Sequence, residues 1–212
     1  MIFDFDFTLA DSSEGAIECI GHALGTLGLR AAATEIRRTI GLSLHASLEQ
    51  LVGRLPPEDV QQFSQAFIDR ADQVMAPLTR VYDFVPAVVA ELRRQDCALG
   101  IVSTKFRYRI ETILAREGLA EFFQMIVGGE DVTEHKPHPA GLELALERMG
   151  APAPSAIYVG DHPVDGQAAL AAKLRFVATL TGVSGPEAFS EFEPLAIVSD
   201  VSELPAVLSR LP

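Results

Sequence analysis

The sequence predicts an α/β fold, a doubly wound parallel sheet with an all-helical insert after its first strand. Three observations predict it. Short apolar runs (Ala98–Val102, Met125–Val127, Ala156–Val159, Phe176–Leu180, Ala196–Val198) alternate with stretches of helical spacing. That alternation marks βαβ units whose strands are covered on both faces. The stretch from Glu14 to Thr79 holds helical spacing and no convincing strand. Finally, carboxylates, hydroxyls and an ammonium gather where the first four core strands end, and open parallel sheets bind ligands beyond those ends.

The first strand is read from Met1-Ile2-Phe3, which runs into Asp4-Phe5-Asp6-Phe7-Thr8. Strand period puts Asp4 and Asp6 on one face and Phe5 opposite. Two like charges at the end of a buried strand repel and resist desolvation. A cation between them would relieve both costs, so the motif points to a metal and to phosphate chemistry. Ser12-Ser13-Glu14 can cap a helix that carries Ile17, Ile20, Ala23, Leu24 and Leu27 and stops near Gly28. Further helices are expected over Ala33–Ile40, Ser43–Val52 and Pro57–Met75, punctuated by Pro56-Pro57 and Pro77. After Tyr82 come a helix near Pro86–Gln95, the strand at Ala98, and a helix with Ile110, Ile113 and Leu114 on one face. The strand at Met125, a helix over Ala140–Met149, the strand at Ala156 and a helix over Val164–Ala172 follow. Two strands and a closing helix complete the chain.

Of 212 residues, 48% are hydrophobic and 22% charged, a composition able to bury a sizeable core. The net charge of −12 disfavours nucleic acid, whose phosphates seek Lys and Arg patches. An anionic substrate must therefore be attracted locally. No apolar run approaches the ~18 residues of a membrane span, and the N-terminus lacks a signal-peptide pattern. A cytoplasmic location and no membrane partner are expected. Cys19 and Cys97 lie far apart without a CxxC pattern and read as reduced thiols. The only lysines are Lys105, Lys136 and Lys173.

The polar residues after the strands fall into four motifs: Asp4-Phe5-Asp6-Phe7-Thr8, Ser103-Thr104-Lys105, Lys136-Pro137, and Gly160-Asp161-His162-Pro163-Val164-Asp165. At these offsets the chain resembles the haloacid dehalogenase superfamily, and within it the phosphoglycolate-phosphatase-like members with a helical cap. The resemblance covers nearly the whole chain and includes the place of the insert. It implies a Rossmann-like core over residues 1–13 and 80–212 and a helical cap over 14–79. Two departures stand out. Phe7 occupies a position where many members have Gly, and a bulkier residue there is expected to tighten the loop entrance. Only three residues precede Asp4, fewer than the first strand of relatives usually has.

The resemblance also implies roles. Asp4 is the nucleophile that forms an acyl-phosphate. Asp6 is general acid to the leaving alcohol, then general base to water. Ser103, Thr104 and the amides of the Phe7-Thr8 loop hold the phosphoryl oxygens, while Lys136 neutralises charge. Asp161, the Asp4 side chain and the Asp6 backbone carbonyl hold Mg²⁺, and Asp165 fixes Asp161 or Lys136 from behind. Lys105 reads as a surface lysine, and His135, His138 and His162 as structural. Substrate choice is assigned to a cap loop carrying Gly41, Ser43 and His45. Arg37 and Arg38 could meet a second anionic group, though a solvated face is the simpler reading.

Absences narrow the function. No lysine precedes Lys105, so the cap offers no Schiff-base amine, and the phosphonoacetaldehyde-hydrolase branch is disfavoured. The second aspartate, Asp6, is missing from dehalogenases proper. Sugar phosphomutase relatives carry a His twelve residues past the nucleophile, where this chain has Ala16. The expected activity is Mg²⁺-dependent hydrolysis of a small phosphorylated metabolite, phosphoglycolate being the natural guess, by a monomer or homodimer. The alternatives are a sugar phosphomutase or a non-catalytic phosphate-binding or regulatory protein. The intact catalytic set opposes the last.

Overall fold

In the computed structural model, which describes residues 1–210, β1 (Ile2–Phe3) lies inside a six-stranded parallel sheet. The strands that join it in the sheet are β4 (Gly100–Val102), β5 (Met125–Val127), β6 (Ile157–Gly160), β7 (Arg175–Thr179) and β8 (Ala196–Val198). Their order across the sheet is β5-β4-β1-β6-β7-β8. β1 pairs with β4 through Phe3 and Ile101, and with β6 through Phe3 and Val159. The order therefore reverses direction at β1, which opens a crevice beyond the carboxyl ends of β1, β4 and β6.

Strand alternation sends neighbouring side chains into two different cores. Phe3, Ile101 and Val159 pack with helices α5 (Val85–Arg94), α6 (Arg107–Arg116) and α9 (Leu204–Leu208). Ile2, Val102 and Tyr158 pack on the other face with α7 (Ala140–Met149) and α8 (Pro163–Ala171). Each large apolar side chain buried this way contributes roughly 1.5–3 kcal/mol. Helix limits follow local chemistry. Pro57 starts α4 (Pro57–Val74) with Glu58 and Asp59 in its first turn, a favourable charge at a helix N-terminus. α7 ends on the left-handed Gly150.

The helices α1 (Ser13–Thr26), α2 (Ala33–Arg37), α3 (Leu44–Val52) and α4 come after β1 and form their own apolar cluster around Ile20, Leu24, Ile36, Leu48 and Phe63. The chain enters and leaves this unit through β2 (Ala10–Asp11) and β3 (Arg80–Val81), paired antiparallel with Ala10 opposite Val81. Two-residue strands have no legible period, so this ribbon has no signal in the sequence. Two expectations need correction. β1 ends at Phe3, so Asp6 is not on the strand; it lies in a tight loop, bridged to Ala10. α2 stops at Arg37 rather than Ile40, because the chain turns toward the sheet through Gly41, whose φ of 99° suits glycine.

Candidate active site

The Asp4 amide donates to the Val159 carbonyl at 2.8 Å, extending the β1 ladder by one residue. This fixes the Asp4 carboxylate at the mouth of the crevice, fully buried. Lys136, just before α7, reaches in beside it. Its ammonium lies 2.9 Å from Asp4 Oδ2 and 2.6 Å from Asp165 Oδ1, and it donates to the Tyr158 hydroxyl at 3.1 Å. That hydroxyl also lies 3.0 Å from the Val102 carbonyl and 3.2 Å from Asp165 Oδ1. Asp165 has its second oxygen engaged as well, accepting from the His162 amide at 3.0 Å at the start of α8. Asp161, just after β6, accepts from the Thr8 hydroxyl at 3.0 Å.

Oxygens of Asp4, Asp161 and Asp165 lie within 4.8 Å of one another. Two of the three carboxylates retain donor capacity for a cation. Asp165 is committed to Lys136, Tyr158 and a backbone amide, whereas Asp4 has only the Lys136 ammonium, 2.9 Å from Oδ2, and its Oδ1 has no partner. A Cβ at Gly182 would sit 2.0 Å from Asp161 Oδ2, so only glycine keeps that flank of the carboxylate open.

Electrostatics agree with the geometry. Burial, together with the charges of Asp165 and Asp6, outweighs Lys136 and raises the Asp4 carboxyl to about 7. Burial, then Asp165 and Asp4, push Asp161 well above the ordinary carboxylate range. Burial opposes the charge on Lys136, but Asp165 and Asp4 outweigh it and hold the ammonium above its usual value. These shifts fit together: one ammonium is charged among three buried carboxylates and cannot satisfy them all. Asp4 and Asp161 are left without a full countercharge, a donor set of hard oxygens that suits a divalent cation.

Asp6 pairs with Lys105 at 3.1 Å, both side chains buried. Ser103 is buried at the end of β4, and Thr104 donates to the Gly41 carbonyl at 3.4 Å. Gly41 also approaches His162, so the loop between α2 and α3 seats on two of the four motifs. Phe7 takes a left-handed φ of 57°, the conformation that glycine adopts most readily, and buries its ring against Ala16 and Ile40 beneath the Arg37 guanidinium. From α6, Arg109 holds Asp72 of α4 at 2.6 Å, and Arg116 donates to the carbonyls of Ala76 and Thr79.

The family model for haloacid dehalogenase-like hydrolases matches residues 1–179. The chain belongs to that family. A phosphoglycolate phosphatase of Xanthomonas campestris is 28% identical over 95% of this chain and 90% of its own length. The pyrophosphatase PpaX of Bacillus cereus is 30% identical over 100% and 96%. A solved Bacteroides fragilis protein assigned to the haloacid dehalogenase-like hydrolases superposes with a TM-score of 0.93 at 35% identity, covering 96% of this chain and 97% of that one. The protein is a phosphatase of this family, with the family's parallel sheet and helical insert.

The phosphatase brings Asp4, Asp6, Thr8, Ser103, Lys136, Asp161 and Asp165 to one crevice, as the sequence motifs imply. Thr8 gains a further role, since its hydroxyl orients Asp161. Two readings change. Lys105 is not a surface lysine; it is buried against Asp6. Ser43 and His45 do not line the space between cap and core: Ser43 caps α3 by accepting from Ala46, and His45 is exposed on that helix. Gly41 alone of the three faces that space. Arg37 is occupied by Phe7 and lies 3.9 Å from Asp11, and Arg38 is exposed. His135, His138 and His162 make structural contacts with Gly129, Glu134 and Val164. Tyr158 and Gly182 went unread because an apolar strand tyrosine and a loop glycine carry no pattern. Lys105 had a signal in its place directly after Ser103-Thr104.

Proposed function

We propose that the chain is a Mg²⁺-dependent phosphatase acting on a small phosphomonoester of about phosphoglycolate's size through an aspartyl-phosphate on Asp4. The observation that carries this reading is the cluster of three buried carboxylates, Asp4, Asp161 and Asp165, which share the one Lys136 ammonium. Asp161, the Asp4 side chain and the Asp6 backbone carbonyl would hold the cation. When bound, it supplies Lewis-acid neutralisation of the phosphoryl oxygens.

The chain's own residues do the rest. An Asp4 oxygen forms a bond to phosphorus as the bond from phosphorus to the leaving alcohol breaks. Asp6 gives its proton to the departing oxygen. It then takes a proton from water, whose oxygen displaces Asp4 from phosphorus and releases phosphate. Lys136 offsets the charge of Asp4 and the phosphoryl group, and Ser103 with the loop amides holds phosphoryl oxygens. Asp165 and Tyr158 keep Lys136 in place.

We also divide the chain into a core, residues 1–13 and 80–212, and a cap, 14–79. The separate apolar cluster of the cap and the ribbon at its base support that division. A cytoplasmic monomer or homodimer acting on a small metabolite fits the composition. Among the described residues no helix is long and apolar enough to cross a membrane. The test is phosphate release from a panel of phosphomonoesters with and without Mg²⁺. Release that needs Mg²⁺ and disappears in Asp4→Asn supports the reading. Release untouched by Asp4→Asn, or no release from any ester, refutes it.

A further inference from the structure

Between cap and core lies a cavity of about 100 Å³ that Asp6 borders. In the phosphatase reading Asp6 hands a proton to the leaving oxygen, so the cavity that Asp6 borders is where the leaving group of the ester would sit. Its wall is mostly apolar, with Ala16, Ile20, Ile40, Leu44, Phe67 and Met75 among the lining side chains. Two cations border it, and each is already held by a protein carboxyl group. Lys105 is paired with Asp6 at 3.1 Å. Arg109 is paired with Asp72 at 2.6 Å and donates to the Ile68 carbonyl. The hydroxyls of Thr39 and Ser47 donate to backbone carbonyls. One lining hydroxyl, that of Ser12, is buried without a partner. It is neutral: it can hydrogen-bond a hydroxyl or ether oxygen but cannot balance a carboxylate.

An anionic leaving group would lose its hydration against a mostly apolar wall whose two cations are already held by Asp6 and Asp72, a penalty far larger than an apolar group meets. An alkyl group gains from the same wall, each well-fitted methylene giving up to ~10-fold or more in kcat/KM. We infer that the preferred substrate is a phosphomonoester of a small, uncharged, mainly apolar alcohol, an inference that rests on the phosphatase reading. The phosphoglycolate and inorganic pyrophosphate suggested by the names of relatives are then the poorer substrates, since both carry a second anionic group.

The test is kcat/KM for methyl, propyl and butyl phosphate, phosphoglycolate and pyrophosphate, measured with the intact enzyme and Mg²⁺. Glycolate is the more acidic alcohol, so chemical reactivity alone favours phosphoglycolate and weights the comparison against the proposal. The expected result is kcat/KM rising along the alkyl series, with butyl phosphate at least ~10-fold above phosphoglycolate and pyrophosphate. Leu44→Lys, which places an ammonium on the half-buried edge of the wall, should shift the ratio of phosphoglycolate to butyl phosphate at least ~10-fold toward phosphoglycolate. Phosphoglycolate or pyrophosphate turned over as fast as butyl phosphate overturns the proposal, as does a ratio unmoved in Leu44→Lys. Either failure is distinct from failure of the phosphatase reading, which stands while release from any of these compounds requires Asp4.

Discussion

Replacing Lys136 with Met keeps the apolar stem of the side chain at similar length and removes the charge. Lys136 is buried, and its ammonium lies close to two carboxylates, 2.9 Å from Asp4 and 2.6 Å from Asp165. Removing one member of a buried ion pair costs roughly 3–5 kcal/mol, because the partner stays buried and charged. The least costly relief is proton uptake by a carboxylate that has lost its cation. Holding a carboxyl protonated at pH 7 against an ordinary value near 4 costs about 1.4 kcal/mol per pH unit, hence about 4 kcal/mol. At pH 5 the same relief costs only about 1–2 kcal/mol. The sign follows from linkage: a carboxyl whose folded-state value is raised binds more protons folded than unfolded, so the variant regains stability as pH falls. Urea unfolding of metal-free parent and variant at pH 7 and pH 5 measures both differences. The account expects a deficit of about 4 kcal/mol at pH 7 that shrinks by at least half at pH 5. A deficit below ~1 kcal/mol at pH 7, or one equal at both pH values, refutes the claim that Asp4, Asp161 and Asp165 depend on Lys136 for their cation among the described residues.

Tyr158→Phe removes a hydroxyl that touches Lys136, Asp165 and the Val102 carbonyl; urea unfolding should show a loss of about 1–3 kcal/mol, and kcat should fall more than KM changes. Phe7→Gly relieves a left-handed backbone by about 1 kcal/mol but forfeits a buried ring worth about 3–5 kcal/mol. The net loss of about 2–4 kcal/mol should appear as a lower urea midpoint, with phosphatase activity retained because no reactive group is lost. Asp72 lies below the ordinary carboxylate value: burial opposes this, but hydrogen bonds from Tyr108 and Arg109 prevail. Its contact with α6 is therefore complete above the ordinary value near 4 and is lost as pH falls through the lowered one. Protection of the α4 amides, taken relative to the intrinsic exchange rate at each pH, should fall over that acid range in the parent, whereas Asp72→Asn should show the lower protection at every pH.

Much of the core was legible because strands covered on both faces leave unbroken apolar runs, and because polar residues at their ends have no structural reason to cluster there. Met125–Val127 and Ala196–Val198 fall where the apolar runs stand. What escaped the sequence has physical causes. The β2–β3 ribbon is only two residues per strand, too short to leave a side-chain pattern. Asp6 departs from strand period because the chain bends immediately after Asp4, and the Phe7 conformation that makes the bend is one a phenylalanine does not advertise. Of the loop segment carrying Gly41, Ser43 and His45, which residues face the sheet depends on α3 starting at Leu44, and that turns Ser43 into a cap and His45 outward. Lys105 was misread because charge on a helix-entry lysine is usually solvated; here a buried aspartate meets it.

The central claim is that Asp4 becomes bonded to phosphorus. Acid quenching during turnover, borohydride reduction of any acyl-phosphate and mass spectrometry of the N-terminal peptide test it directly. The account predicts Asp4 reduced to homoserine in the parent, only with substrate and Mg²⁺ present, and no reduction in Asp4→Asn, which also releases no phosphate. Reduction at another carboxylate, or steady phosphate release by Asp4→Asn, would contradict it.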